Sequence, residues 1–333
     1  MAMSADRIGI DQIDEIPAAH PRRVRSERRL AGLLLLPSVA FLVLMTIFPT
    51  LYSLWMSMQQ YNLSRPDLAH FVGSRNYGQL LTDDLFWKAA RVTFIFSVSV
   101  LVLQFIIGFF VANLFDRERR GMNVLRTLFI IPVFASPVAL GLTWRYMYQP
   151  GYGLINYLLG IVGLPPVNWL SSTQWALPAV IAVDVWQWTP FVALILLAGM
   201  QSISPEITEA AELDGLTRFQ YLWRIVIPLL MPIIVVVGLI RLIDALKTFD
   251  LIYIITRGGP GTTTYNLPLH AYSMGFASFL MGTSAAIAWV VVIIVNICAT
   301  IFLWLLSREQ ARACRWRPAP APTGVSATRW PLP

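Results

Sequence analysis

Six stretches of this chain are too long and too apolar for water to be their solvent: about residues 30–57, 92–115, 124–148, 175–200, 229–256 and 283–306. A helix of roughly 20 apolar residues crosses the hydrocarbon of a bilayer, and there a helix satisfies its own backbone groups. With 56% hydrophobic and 13% charged residues, the composition excludes an ordinary soluble domain. The expectation is an all-α integral membrane protein whose six-helix domain fills residues 30–306. A polar segment, 1–29, read as disordered, precedes it, and a Pro/Ala-rich tail, 307–333, follows. The arginine-rich start resembles a secretory leader, but the apolar core is too long and no small-residue cleavage site follows. The first stretch is therefore read as an uncleaved span.

The charges set an orientation. Arg7, Arg22, Arg23, Arg25, Arg28 and Arg29 precede span 1, and Arg117, Arg119, Arg120 and Arg126 lie between span 2 and the first turn of span 3. Arg218 and Arg224 lie between spans 4 and 5, and Arg308, Arg312, Arg315, Arg317 and Arg329 follow span 6. The alternate loops carry fewer cations, among them Arg65, Arg75, Lys88 and Arg257. By the positive-inside rule both termini and the loop after span 4 face the cytoplasm of a multi-pass cell-membrane protein. The net charge of +7 thus reflects topology and contact with anionic lipid. Nucleic-acid binding is not expected, because the arginines flank spans rather than forming one patch. Cys298 and Cys314 do not suit a disulfide. No CxxC, HExxH or phosphate-cradling glycine loop occurs, and His20, His70 and His270 are scattered. No metal site, no catalytic constellation and no cofactor bound by the chain itself is expected.

The loop over 203–228 is polar between two apolar spans and reads as two short helices. Ser204 can cap the first, Pro205 suits its first position, and Glu206 suits the positive end of its dipole. Gly215 supplies a left-handed stop, and Thr217 with Gln220 fits a capping box that opens the second helix. Such a knob is either a surface for another protein or an amphipathic connector lying on the bilayer. Elsewhere, the uncharged loop 149–174 reads as a short interfacial helix closing one face, and loop 58–91 reads as short elements joined by a turn near Phe71-Val72-Gly73. Paired prolines (Pro37 and Pro49, Pro132 and Pro137, Pro178 and Pro190, Pro228 and Pro232) predict kinked spans, suited to rocking around a cavity or merely typical of membrane helices.

Charges at membrane depth are costly and face each other or a wet cavity. Span 5 carries Arg241, Asp244, Lys247 and Asp250 at steps of three. Asp244 lies between two cations and is expected to be neutralised by them. The alternative is a self-cancelling ladder that fixes helix packing. Phe249, Asp250 and Tyr253 lie nearer one end. In span 4, Asp184, Trp186, Gln187 and Trp188 combine an acid, an amide and two indoles. That set suits a polyhydroxylated ligand, with indole faces on apolar sugar faces and polar groups on hydroxyls. Interfacial tryptophans plus one acid buried between helices fit the same residues. Trp144, Arg145 and Tyr146 read as interfacial anchors.

Two of these patterns resemble a known family. Glu209-Ala210-Ala211, Gly215 and the ending Ile225-Val226-Ile227-Pro228 resemble the EAA loop of the membrane subunits of ABC importers, with Ile227 where that family usually has Leu. Phe249-Asp250-Leu251-Ile252-Tyr253, Thr256 and Gly258-Gly259-Pro260 resemble the signature of the carbohydrate (MalF/UgpA-type) group. Tyr52-Ser53, Phe71-Val72-Gly73, Asn76-Tyr77 and Phe86-Trp87 resemble its first outside loop, and Arg91 departs from it. The resemblance implies a six-helix importer permease bundle that pairs with a second permease, two ATP-binding subunits and an extracytoplasmic solute-binding protein, with ATP and magnesium held by the ATPases. It assigns Glu209, Ala210, Ala211, Asp214 and Gly215 to coupling with the ATPase. It also implies sugar as cargo, for which Asp184, Trp186, Gln187, Asp244, Phe249, Asp250 and Tyr253 are the candidate lining residues. A polyol or glycerol phosphate importer is the alternative; an ion-coupled transporter would show inverted repeats, and a membrane enzyme would need a catalytic constellation.

Overall fold

The structure, a computed structural model, describes residues 21–116 and 120–315 of the 333. The chain divides into two units, 1–55 and 56–333. The first holds most of helix α1 (Pro21–Ser57), which starts inside the segment expected to be unstructured and keeps Pro37 and Pro49 within a continuous helix. Its stretch Leu34–Ser57 is long and apolar enough to cross a bilayer.

The second unit opens with a two-stranded ribbon, β1 (Gln59–Gln60) antiparallel to β2 (His70–Phe71), with Gln59 opposite Phe71. Gly73, at φ +59°, then turns the chain into α2 (Arg75–Thr82). The buried Asn76 amide donates to the carbonyls of Ser57 and Gln59, both at 2.8 Å, and ties α2 to the start of the ribbon. Asp83 caps α3 (Asp84–Phe115) by accepting from the Leu85 N–H at 2.9 Å.

Span 3 is not one rod. Helix α4 (Met122–Phe129) passes through a 3-10 turn, Ile131–Phe134, into α5 (Pro137–Met147), and the two arms meet at 96°. The cause is local: Pro132 and Pro137 lack N–H groups, and Ser136, directly before Pro137, is pushed to ψ 129°, outside the helical region. Among the described residues five helices are long and apolar enough to cross a membrane, and this bent pair, taken as one span, makes a sixth. The short helix expected in loop 149–174 is α6 (Leu154–Ile161), stapled by Asn156, which bonds both the N–H and the carbonyl of Val167.

Helix α7 (Ala176–Gln201) is the most buried span and packs along α3. Next come α8 (Pro205–Leu213), α9 (Arg218–Tyr221), a π-helical turn (Leu222–Val226) leading into Pro228, and α10 (Ile227–Lys247). Span 5 also breaks, at Thr248 and Phe249, before α11 (Asp250–Ile255), which packs on α5. A loop with a cis Gly259–Pro260 bond leads to α12 (Leu267–Tyr272), a second π-helical turn (Ser273–Ala277) and α13 (Met281–Arg315). The apolar core lies between α3, α7 and α10, around Phe96, Val192, Leu196 and Leu230. Outward residues such as Phe94, Phe110 and Val292 remain exposed, as lipid-facing residues must.

Candidate functional site

Two regions carry the candidate residues. At one end of the bundle, α8 and α9 form the knob read from the sequence. Leu216 N–H bonds the Ala211 carbonyl at 3.1 Å and Gly215 N–H bonds that of Glu212 at 3.0 Å, with Gly215 at φ +71°. This double closure satisfies carbonyls that α8 would otherwise leave open. The capping box is present: Gln220 Oε1 accepts from Thr217 N–H at 2.9 Å, and Thr217 Oγ1 accepts from Gln220 N–H at 3.4 Å. Ser204 stands at the cap position, but its hydroxyl donates to Glu206 Oε2 at 2.6 Å instead of accepting a backbone N–H.

The hydroxyls of Thr208 and Tyr221 lie 2.9 Å apart and clamp α8 to α9; Arg218 Nη2 donates to Asn113 Oδ1 at 3.0 Å and ties the knob to α3. Behind it lies a cavity of about 620 Å³ whose lining includes Asp116, Glu209, Glu212 and Arg218. Glu209, Ala210, Asp214 and Gly215 are exposed, whereas Ala211 is buried. Leu213, 89% exposed, and the neighbouring rings of Phe219 and Trp223, 5.9 Å apart, stand out from the polar surface. The sequence reasoning passed over these three; a large apolar side chain in a short polar loop was the available signal.

The candidate lining residues do not form one pocket. Asp184 is 3% exposed on α7, and Arg241 on α10 is 1% exposed. Arg241 Nη2 meets Asp184 Oδ1 at 2.9 Å, and Arg241 Nε donates to Gln104 Oε1 at 2.9 Å. Gln104 Nε2 closes the triangle onto Asp184 Oδ1 at 2.8 Å. The guanidinium also sits over the Trp188 ring, 4.5 Å from its centroid. Three helices are joined here by a residue, Gln104, that the sequence reading left inside an apolar run.

Asp244, with 44% of its side chain exposed, stands at the rim of this knot. It lies 3.7 Å from Arg241 Nη1, which has no hydrogen-bond partner, and 4.0 Å from Lys247 Nζ. Gln187 is buried, with Nε2 3.4 Å from the Ala135 carbonyl. Trp186 is exposed and meets Trp144 edge-on at 5.5 Å, beside an apolar groove between α3 and α7. Phe249 and Tyr253 stack at the end of the bundle opposite the knob, with exposed Asp250 next to Phe249.

Comparison with known proteins places this architecture. Residues 104–312 match the family described as "Binding-protein-dependent transport system inner membrane component". The trehalose/maltose transport system permease protein MalF of Thermococcus litoralis is 38% identical over 247 residues, which is 74% of this chain and 83% of that protein. The trehalose transport system permease protein SugA of Mycobacterium tuberculosis is 32% identical over 280 residues, 84% of this chain and 89% of that protein. A chain in a crystal structure of a bacterial alginate ABC transporter, in complex with an alginate pentasaccharide-bound periplasmic protein, shares the fold with a TM-score of 0.73 at 23% identity, over 84% of this chain and 94% of that one. The chain belongs to the family of inner membrane components of binding-protein-dependent transport systems, the permease subunits of ABC importers.

Proposed function

We propose that this chain is one of two membrane subunits of an ATP-driven importer of neutral sugars, of the trehalose or maltose class. The observation that carries the reading is the α8–Gly215–α9 knob. It is a braced unit, held by the Thr208–Tyr221 clamp and the Arg218–Asn113 tie, that nevertheless leaves Leu213, Phe219 and Trp223 exposed. Rigidity suits transmission of a push, and uncovered apolar anchors suit a partner's cleft. The arginine bias supports putting this end, and both termini, in the cytoplasm. There a separate ATP-binding subunit would grip it, with Glu209 and Asp214 offering acceptors to basic groups. Ala211, packed inward, acts by letting α8 lie close rather than by touching the partner.

ATP binding on those subunits moves the knob, and the bent and broken spans let the bundle rock between two states. Energy enters because the partner contacts differ between those states. Sugar delivered by an extracytoplasmic binding protein meets Asp244, the half-exposed carboxylate at the rim of the buried knot. Its carboxylate can accept from a sugar hydroxyl, while the buried Arg241 Nη1, 3.7 Å away, holds it in place. Asp184 and Gln104 act through Arg241 by holding it in place. The cargo named for the trehalose/maltose and trehalose relatives supports the sugar class.

The test is uptake of radiolabelled trehalose and maltose into vesicles holding the whole complex. Uptake is expected only with ATP on the side of the knob, and Leu213→Asp is expected to abolish it while leaving insertion intact. Uptake without ATP that follows a proton or sodium gradient would overturn the reading.

A further inference from the structure

Four aromatic rings form a continuous ladder at the end of the bundle opposite the knob. Phe249 and Tyr253 stack with centroids 5.2 Å apart and planes 17° apart. Tyr272 meets Phe249 at 5.0 Å and Tyr253 at 5.3 Å, and Phe276 extends the ladder by stacking on Tyr272 at 5.1 Å and 27°. Each pair is four residues apart on its own turn of helix, so one ring follows the other along a face. What brings the pairs together is Asn266, fully buried. Its amide donates to the Thr248 carbonyl at the α10–α11 break, at 2.5 Å, while its oxygen accepts from Leu269 N–H at 3.1 Å and caps α12.

A ladder that served only the core would be sealed. This one is open: Phe276 is 64% exposed, and Phe249, Tyr253 and Tyr272 are half-buried. It begins where α10 ends, one turn beyond Asp244, and exposed Asp250 lies at its edge. Flat rings in series beside carboxylates match a pyranose, whose C–H faces are apolar and whose rim is hydroxyl. The carboxylates disfavour a phosphate ester at the same place by like-charge repulsion.

We propose that Phe249, Tyr253, Tyr272 and Phe276 form a stacking track for a neutral pyranose, which the sugar occupies between leaving the binding protein and reaching Asp244; this rests on the sugar-importer reading above. The experiment measures trehalose and maltose uptake by the whole complex as a function of sugar-loaded binding protein. Leucine keeps apolar bulk and removes the ring. Phe276→Leu and Tyr272→Leu are therefore expected to raise KM by roughly threefold to tenfold, the worth of one aromatic stacking contact. Phe276→Tyr and Tyr272→Phe are expected to stay near the parental KM. Because Phe276 is exposed, its variants report on the track even if Tyr272→Leu fails to assemble. Parental KM in Phe276→Leu overturns the track alone. A parental complex that carries glycerol phosphate, or neither sugar, overturns the sugar reading and the track with it.

Discussion

Arg241 on α10 and Asp184 on α7 meet at 2.9 Å with neither side chain open to solvent. Two charges so placed stabilise little in net terms, because desolvation offsets their attraction; removing one alone strands the other. Asp184→Leu or Arg241→Met should therefore lower the stability of the detergent-solubilised chain by about 3–5 kcal/mol. The double variant should recover most of that loss, because no charge is left uncompensated. Denaturant unfolding of the parent, both single variants and the double variant checks this. Strictly additive losses would show that the two residues do not act as a pair.

The same pair marks where sequence reading stopped. The spacing of Arg241, Asp244 and Lys247 along one helix was plain, and Asp244 does lie within 4.0 Å of both cations. The closer partner of Arg241 lies 57 residues away on another helix, and helical period carries no information about which spans touch. Gln104 was hidden for the same reason. The knob was legible because its determinants are local: Pro205, Gly215, and Thr217 with Gln220 close bonds within a few residues. Ser204 misled because Glu206, two residues on, competes for its hydroxyl. Prolines foretold distortion of span 3, whereas a 96° bend depends on how far the backbone yields after Pro132 and Pro137. Phe249 and Tyr253 were visible as a pair, but Tyr272 and Phe276 reach them through tertiary contacts, the Asn266–Thr248 bond among them, that no local spacing encodes.

Gly215 is held at φ +71°, and a Cβ added there would meet no heavy atom within 4 Å. The demand is therefore on the backbone alone. A β-branched residue there costs about 1–2 kcal/mol and favours another path into α9. Gly215→Val should leave membrane insertion intact and separate ATP hydrolysis from uptake, whereas Gly215→Asn, which tolerates left-handed backbone, should retain coupling. The ratio of sugar moved to ATP hydrolysed in vesicles reads this out. A parental ratio in the valine variant would remove the knob from the coupling path.

Gly108 lets α3 approach α7. A Cβ at Gly108 would lie 3.1 Å from Val192 Cγ1 and 3.3 Å from the backbone nitrogen of Ala193. Small residues at such crossings let helices pack closely where lipid supplies no hydrophobic drive. The Ala193 backbone cannot step aside as a side chain can, so Gly108→Leu should destabilise by about 1–3 kcal/mol through overpacking. Gly108→Ala should be milder, and Val192→Ala should relieve part of its cost. Thermal unfolding of the four proteins checks the order; leucine tolerated as well as alanine would mean the helices do not touch there.

His270 on α12 carries a pH dependence whose sign follows from its surroundings. Its ring is fully buried, with Nδ1 3.3 Å from the Tyr265 hydroxyl and Nε2 3.7 Å from Asp83 Oδ2, too far to hydrogen-bond. Burial holds its pKa below the ordinary 6.5, and the Asp83 carboxylate opposes that shift without cancelling it. Well above 6.5 the ring is neutral whether the chain is folded or not, and the histidine leaves stability unchanged. As pH falls below that value the unfolded chain takes the proton first, so stability declines until the folded pKa is passed. α12 is also fastened to α3 by the Leu267 N–H to Thr93 Oγ1 bond at 2.9 Å, so the loss should appear as loosening of that end of the bundle. The unfolding midpoint should stay level above about pH 7 and drop below pH 6.5, by less in His270→Gln. Asp83→Asn should extend the decline to lower pH, since the charge that favours the protonated ring is gone. A pH profile identical in the parent and His270→Gln would assign the acid sensitivity to another group.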